Sequence, residues 1–152
     1  MKLFALAVGL LLSSLACAQS KLAREIYKEL VEINTVTNSG DTGVAADAMA
    51  ARLKAAGIPA ADVQVFKPAL KKGNVVARLR GTGKKKPMIV MAHIDVVDAK
   101  REDWSMDPFT LNEKDGYFYG RGTGDDKFMA TAFVANLIRY KQEASAPRAT
   151  SS

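Results

Sequence analysis

The chain has 152 residues, a formal net charge of +6 and one cysteine. This length suits a single domain with a real core. Its basic residues are spread along the chain, apart from three lysines in the Gly- and Pro-flanked stretch GTGKKKP, which predicts a solvated turn. Nucleic-acid binding calls for a basic face with interleaved aromatic residues. That pattern is absent, so we expect no nucleic acid among the partners.

The first 18 residues have the features of a signal peptide. Lys2 supplies a positive charge, residues 3–15 are mostly apolar, and residues 16–18 read Ala-Cys-Ala, a pattern that precedes cleavage. The apolar stretch is too short to span a bilayer as a stable helix. We therefore expect a secreted or periplasmic protein that begins near Gln19 and has no membrane contact after signal cleavage.

A lipoprotein acylated on Cys17 is the alternative. Ser14 argues against it, because a large aliphatic residue is expected three residues before the cysteine. Cleavage after Ala18 would remove 18 of the 152 residues and leave 134, with a net charge of +5 and no cysteine. Disulfides and thiolate chemistry are then excluded.

Two amphipathic helices are predicted next. In KLAREIYKELVEIN the apolar residues recur at helical spacing, namely Leu22, Ile26, Leu30 and Ile33. After the turn sequence TNSGDTG, Asp41 or Thr42 can cap a second helix, which Gly57 ends in a left-handed conformation. The buried residues expected on this second helix are Ala45, Met49, Leu53 and Ala56.

Three short strands should follow. DVQVF and NVVARLR alternate in polarity, the second with Val75, Ala77 and Leu79 on one face, and MIVMA is apolar throughout. An unbroken apolar strand is typically buried on both faces. We therefore predict an α/β domain in which helices cover both sides of the sheet.

The remaining elements are a hairpin and a third helix. FTLN and YFYG are joined around Asp115-Gly116, a strong hairpin turn signal. GRGTG leads into the helix in DDKFMATAFVANLIRYKQ, and the terminal ASAPRATSS has the composition of disorder. The buried residues expected on this helix are Met129, Phe133, Leu137 and Tyr140.

The first candidate site residues follow the apolar strand. His93 is the only histidine, and Asp95 projects to the same side in extended backbone. Strand carboxyl ends are where α/β sheets bind ligands, and a metal-bound histidine usually donates its other ring N–H to a carboxylate. The alternative is a lone histidine hydrogen-bonded at a strand end.

A second acidic group lies in GDDK, at the start of the third helix. Asp125 or Asp126 could simply cap this helix. The preceding GRGTG, however, gives the backbone freedom for a sharp approach that delivers two carboxylates and Lys127 to a helix start. A divalent ion needs such carboxylates beside a neutral imidazole.

These stretches together resemble a known family. IVMAHIDVV, then a tryptophan and DPF, then DGYFYGRGTGDDK, are similar in order and separation to the N-terminal metal-binding half of the zinc aminoacylases, deacylases and glutamate carboxypeptidases, metallopeptidase family M20. The resemblance runs from about Leu22 to Glu143. It implies a three-layer α/β/α catalytic domain of zinc-peptidase type, incomplete at its C-terminal side. The chain would comprise a signal peptide (1–18), part of this domain (19–143) and a disordered tail (144–152).

The resemblance also implies residue roles. His93 would ligate one zinc ion, Asp125 would bridge two, and Asp95, the candidate catalytic residue, would be the acid that supports the histidine. The family's Asp-x-Lys spacing selects Asp125 over Asp126, and a cis peptide is expected between them. Cobalt or manganese could replace zinc. The residues expected to pack the loop beneath the site are Trp104, Pro108 and Phe109.

Later elements of the family cannot be placed in this sequence. They are two glutamates, one the general base and one a metal ligand, then a further acidic ligand, a second histidine and a dimerisation domain. The sequence therefore looks like a fragment, a truncated reading frame or a frameshifted end. We expect the N-terminal part of an exported carboxypeptidase or N-acyl amino-acid deacylase that hydrolyses an amide bond with a metal-activated water. Its substrate would be a peptide or an N-acyl amino acid, and its full-length form could be a homodimer.

Two expectations follow for the chain itself. Without the general-base glutamate it should be inactive alone. The alternative function is a non-catalytic remnant that binds metal weakly or not at all.

Overall fold

The computed structural model describes residues 19–145. The predicted signal peptide, and residues 146–152 of the predicted tail, lie outside this range. The described part contains three helices, two antiparallel hairpins and two short 3-10 turns. The helices are α1 (19–32), α2 (Thr42–Ala55) and α3 (Lys127–Ser145), and the strands are β1 (Val63–Ala69), β2 (Lys72–Ala77), β3 (Asn112–Lys114) and β4 (Tyr117–Tyr119).

Helices α1 and α2 form where the sequence predicts them. Ile26 and Leu30 of α1 are fully buried, as expected from their spacing. The Asp41 carboxylate caps α2 by accepting hydrogen bonds from the backbone N–H groups of Gly43, at 2.7 Å, and Val44. Beyond the end of α2, Gly57 has the predicted positive φ, +87°.

The β1–β2 hairpin packs on α2 and closes the hydrophobic core. Val65 pairs with Val75, and both lie partly buried against the core. The first two predicted strands are therefore confirmed, although β2 ends at Ala77 and the predicted inward residue Leu79 lies beyond it. The core combines side chains from α1, α2, β1 and α3, among them Ile26, Leu30, Met49, Leu53, Val63, Val134 and Ile138.

The predicted MIVMA strand is not a buried sheet strand. Met88 is 86% exposed and Met91 83%, and this stretch forms no strand ladder with other described residues. The segment that follows it forms one isolated parallel β-bridge, in which Val96 pairs with Val36. An apolar strand is buried on both faces only when neighbouring strands and helices surround it. Among residues 19–145, this segment packs against the core on one side only, through Ala92 and Ile94.

Helix α3 exists as predicted, but it buries a different face. Of the four residues predicted to be buried, Met129 and Tyr140 are 41% and 47% exposed, while Phe133 and Leu137 are only partly buried. The buried residues lie about one position along the helix, namely Lys127, Ala130, Thr131, Val134 and Ile138. Apolar side chains occur on neighbouring faces of this helix, so their spacing alone could not select which of them turns inward.

The second hairpin forms around the predicted turn. Asp115 and Gly116 both have positive φ, 54° and 78°, as a tight hairpin turn requires. The first strand begins at Asn112, later than predicted. The hairpin rests on α1, where the rings of Tyr27 and Phe118 meet edge to face at 5.3 Å.

Helix α3 runs to Ser145, so residues 144 and 145 of the predicted tail are helical. Within the span 19–145, no helix has the length and apolar character needed to cross a membrane.

Candidate metal centre

An open cavity of about 250 Å³ lies where the segment after MIVMA meets the loop before α3. Its lining includes His93, Asp95 and Asp125, together with residues 120–124. A larger cavity of about 360 Å³ lies between α1 and α3, but its lining contains no acidic or imidazole side chain. The smaller cavity is therefore the candidate site.

The structure brings the three predicted site residues together. His93 Nε2 lies 2.9 Å from Asp125 Oδ1. On the other side of the ring, Nδ1 lies 3.1 Å from the Asp95 carbonyl oxygen and 3.3 Å from its Oδ1. His93 and Asp95 thus face the same space, as their spacing predicts. One ring nitrogen is directed at each carboxylate residue.

The surroundings favour a charged imidazole in the metal-free chain. Partial burial acts to lower the pKa of His93, but the hydrogen bonds and negative charges of Asp125 and Asp95 outweigh it and raise this pKa above its ordinary value. A metal ion at Nε2 would have to displace a proton. Metal binding should therefore weaken as the solution becomes more acidic.

The donor set fits a metal ion in kind but not in number. Two donors on one tetrahedral zinc ion lie about 3.4 Å apart, given bond lengths near 2.1 Å. The observed 2.9 Å between His93 Nε2 and Asp125 Oδ1 would need to open by roughly half an ångström. Among residues 19–145, however, no group of three or more His, Cys, Asp or Glu side chains is placed to hold a metal ion.

The start of α3 favours the site over a simple helix cap. The Asp125 carboxylate contacts His93, and none of the hydrogen bonds found within residues 19–145 joins the side chain of Asp125 or Asp126 to a backbone N–H. Asp126 contributes its backbone carbonyl, which accepts from Ala130 N–H at 3.1 Å. The predicted cis peptide between Asp125 and Asp126 is confirmed.

Gly122 lets the loop pass close to its neighbours. Its φ is +86°, and a Cβ built there would lie 2.8 Å from Val96 Cγ1 and 3.0 Å from Lys127 Cδ. A side chain at this position would clash as well as strain the backbone. Glycine therefore allows the loop to lie directly on the segment that carries His93 and Asp95.

The sequence motif placed Lys127 beside the two carboxylates but predicted no role for its side chain in the site. Its side chain is fully buried, and its Nζ donates to the Ile33 carbonyl oxygen at 2.8 Å. Burial lowers the pKa of Lys127 to about 8. A lysine in the first turn of a helix, where its charge opposes the dipole, was the available signal.

Arg121 was overlooked. Its guanidinium lies over the Trp104 ring at 5.1 Å and donates to the Asp98 carbonyl at 3.2 Å. Its backbone N–H donates to the Pro108 carbonyl at 2.7 Å. Trp104 and Pro108 thus contact the loop as predicted, while Phe109 is only partly buried. These partners lie 13 to 23 residues before Arg121, so nothing near Arg121 in the sequence revealed them.

The sequence of this region matches a known family. Residues 89–151 match the sequence model of Peptidase family M20/M25/M40. The chain is 44% identical over 62 residues to the N-fatty-acyl-amino acid synthase/hydrolase PM20D1 of Xenopus tropicalis, covering 41% of this chain and 12% of that protein. It is 43% identical over 76 residues to the succinyl-diaminopimelate desuccinylase of Delftia acidovorans (strain DSM 14801 / SPH-1), covering 49% and 20%.

The fold is similar to that of human carnosine dipeptidase 1. The TM-score is 0.67 at 22% identity, and the match covers 88% of this chain and 31% of that one. The predicted α/β class is therefore confirmed, for part of such a domain. The chain spans no more than about a fifth of the length of the curated relatives named above. Over that part, the resemblance to the M20 peptidases predicted from the motifs is confirmed, and the chain is related to the hydrolases of this family.

Proposed function

We propose that the chain supplies part of the active site of an exported zinc-dependent hydrolase that cleaves an amide bond in a peptide or an N-acyl amino acid. The relatives support this reaction class, because their names describe an N-fatty-acyl-amino acid synthase/hydrolase and a desuccinylase. The Ala-Cys-Ala pattern at residues 16–18 supports export.

One observation carries the proposal: the imidazole of His93 faces the carboxylate of Asp125 across 2.9 Å, inside a cavity within the region that matches the family. In this proposal His93 Nε2 and Asp125 are metal ligands. Asp95 holds the ring by accepting a hydrogen bond from Nδ1–H, which fixes the tautomer that leaves Nε2 free to bind metal.

The neighbouring residues would keep these donors in place. Zinc, when bound, polarises the scissile carbonyl and lowers the pKa of water. Residues 120–124 line the same cavity as His93 and Asp125. The cavity is open, as a site that admits a peptide or an acyl chain must be.

The test uses the single histidine as a reporter. Cobalt is titrated into the full chain while the imidazole resonances are followed by NMR, so that every imidazole signal belongs to His93. Binding at the site should broaden them, and zinc should compete. Asp125→Asn should weaken the response, and His93→Ala should abolish site binding as measured by cobalt absorption, because each change removes one of the two proposed ligands.

A matched control comes from another exposed aspartate. Asp103→Asn removes one carboxylate from the 3-10 turn at Arg101–Asp103, outside the cavity lining, and should leave cobalt binding unchanged. Equal cobalt affinity in wild type, His93→Ala and Asp125→Asn would overturn the ligand assignment.

The second candidate function is a non-catalytic module that binds metal weakly or not at all. It is favoured by the finding that residues 19–145 place only two donors face to face. A catalytic zinc normally has three protein ligands and one open position. An unaltered imidazole spectrum at saturating cobalt would favour this candidate.

A further inference from the structure

Lys127 is buried in a position that disfavours a charged side chain. It is 0% exposed and lies in the first turn of α3, where the helix dipole is positive. Among residues 19–145, no carboxylate forms an ion pair with Lys127. Within the same range, its Nζ donates one hydrogen bond, to the Ile33 carbonyl. Buried lysines without a charged partner are uncommon. A specific contact must therefore account for this one.

The Ile33 carbonyl is such a contact. It lies just beyond the end of α1, where the last carbonyls of a helix lack partners and carry partial negative charge. The ammonium group satisfies one of these acceptors at 2.8 Å. The start of α3 is thereby tied to the end of α1.

The residues that follow Ile33 hold the other half of the site. Thr35 is fully buried. Its Oγ1 donates to the Ile94 carbonyl at 2.6 Å, and its backbone carbonyl accepts from Val96 N–H at 3.2 Å. Val36 forms a bridge with Val96. Residues 33–36, which we call the platform, thus fasten both the segment bearing His93 and the helix start that follows Asp125.

Direct packing joins the two halves above the platform. The stem of Lys127 lies against Gly122, whose other neighbour is Val96. The Lys127 backbone N–H also donates to the Gly122 carbonyl at 3.1 Å. The lysine therefore contacts the platform with its tip and the 120–124 loop with its stem.

We propose that Lys127 is a positioning residue, which holds Asp125 at ligand distance from His93 by tying the start of α3 to the platform at Ile33. This role rests on the proposed metal site and adds a residue to it. Methionine is similar in length but cannot donate to Ile33. Lys127→Met should therefore keep the packing and lose the tie.

The first measurement is a double-mutant cycle on cobalt binding, followed through the His93 resonances. Lys127→Met should weaken cobalt binding about 10- to 100-fold, the range typical for residues that orient metal ligands. In an Asp125→Asn background the same change should have little further effect, because the ligand it positions is gone. Lys84→Met, in the exposed turn, should change nothing. Equal losses in both backgrounds would show a general structural role and overturn the proposal.

The second measurement needs no metal. In the metal-free chain, nuclear Overhauser contacts between the His93 ring protons and the Asp125 β-protons should be present in wild type and lost in Lys127→Met. If wild type binds no cobalt, the proposed metal site is wrong. The proposed role of Lys127 in positioning Asp125 is then tested by this nuclear Overhauser contact alone. Retention of the contact in folded Lys127→Met would overturn it.

Folding is checked by circular dichroism. Should Lys127→Met not fold, Thr35→Val tests the same platform from the His93 side by removing the hydrogen bond to the Ile94 carbonyl. It should also lose the ring contact. An unchanged contact in Thr35→Val would then refute the platform.

Discussion

Replacing Gly122 by alanine should be one of the most damaging single-methyl changes in this chain. A left-handed conformation costs a non-glycine residue about 1–2 kcal/mol, and Gly122 has φ +86°. The added Cβ would also lie 2.8 Å from Val96 Cγ1 and 3.0 Å from Lys127 Cδ. Both side chains are buried and cannot move aside freely, and such overpacking typically costs about 1–3 kcal/mol. We expect a combined loss of about 2–5 kcal/mol.

Two other glycines separate the contributions. Gly116 has φ +78° with open space around its Cβ position, so Gly116→Ala should show the backbone cost alone, about 1–2 kcal/mol. Gly124 lies in the same loop as Gly122 with no atom within 4 Å of its Cβ position and no positive φ. Gly124→Ala should stay within about 0.5 kcal/mol of wild type.

The assay is equilibrium urea unfolding of the full chain, followed by circular dichroism, with the free energy of unfolding compared at equal m-values. Cobalt titration of the same variants tests the consequence for the site, since Gly122→Ala should move the loop away from His93. A Gly122→Ala variant as stable as Gly124→Ala would refute the reasoning about close contact.

Three further predictions concern other parts of the chain. The Asp62 carboxylate is buried and accepts a bidentate hydrogen bond from Arg80, which lowers the pKa of Asp62 below its ordinary value of 3.8. The ionised carboxylate therefore stabilises the fold above the unfolded-state pKa, and this stabilisation is lost as the pH falls through the lowered folded-state pKa. Acid unfolding of Asp62→Asn, followed by circular dichroism, should show a weaker pH dependence than that of wild type. The full chain with added zinc or cobalt should hydrolyse neither N-acyl amino acids nor dipeptides above a metal-only control, because the cavity lining contains no glutamate to act as general base; turnover would mean that the missing groups come from elsewhere. Protein from a native host should have an N-terminus near Gln19 by mass spectrometry, and an intact Met1 on folded cytoplasmic protein would contradict export.

The sequence alone determined the elements whose information is local. Three such signals each involve only a few neighbouring residues: the helical spacing of Ile26 and Leu30, the N-cap at Asp41 and the hairpin turn at Asp115-Gly116. The alternation that predicts the β1–β2 hairpin is local as well. The pairing of His93 with Asp95 was predictable for the same reason, because extended backbone places residues two apart on one side.

The approach of Asp125 to His93 came from the family resemblance, since 32 residues separate them and no spacing rule joins them. Its ligand role remains a prediction. The exposure of MIVMA could not be predicted, because burial depends on which strands and helices surround that segment. Apolar side chains favour burial, but their pattern does not specify which elements bury them.

Only the tertiary structure decided which face of α3 turns inward and what holds the site together. The buried Lys127 donates to a carbonyl just beyond the end of α1, and Arg121 contacts three residues of the long loop before β3, Asp98, Trp104 and Pro108. These contacts join residues far apart in the chain, some of them through backbone atoms that every residue type shares. A sequence pattern cannot specify such partners, because only folding brings them within hydrogen-bond distance.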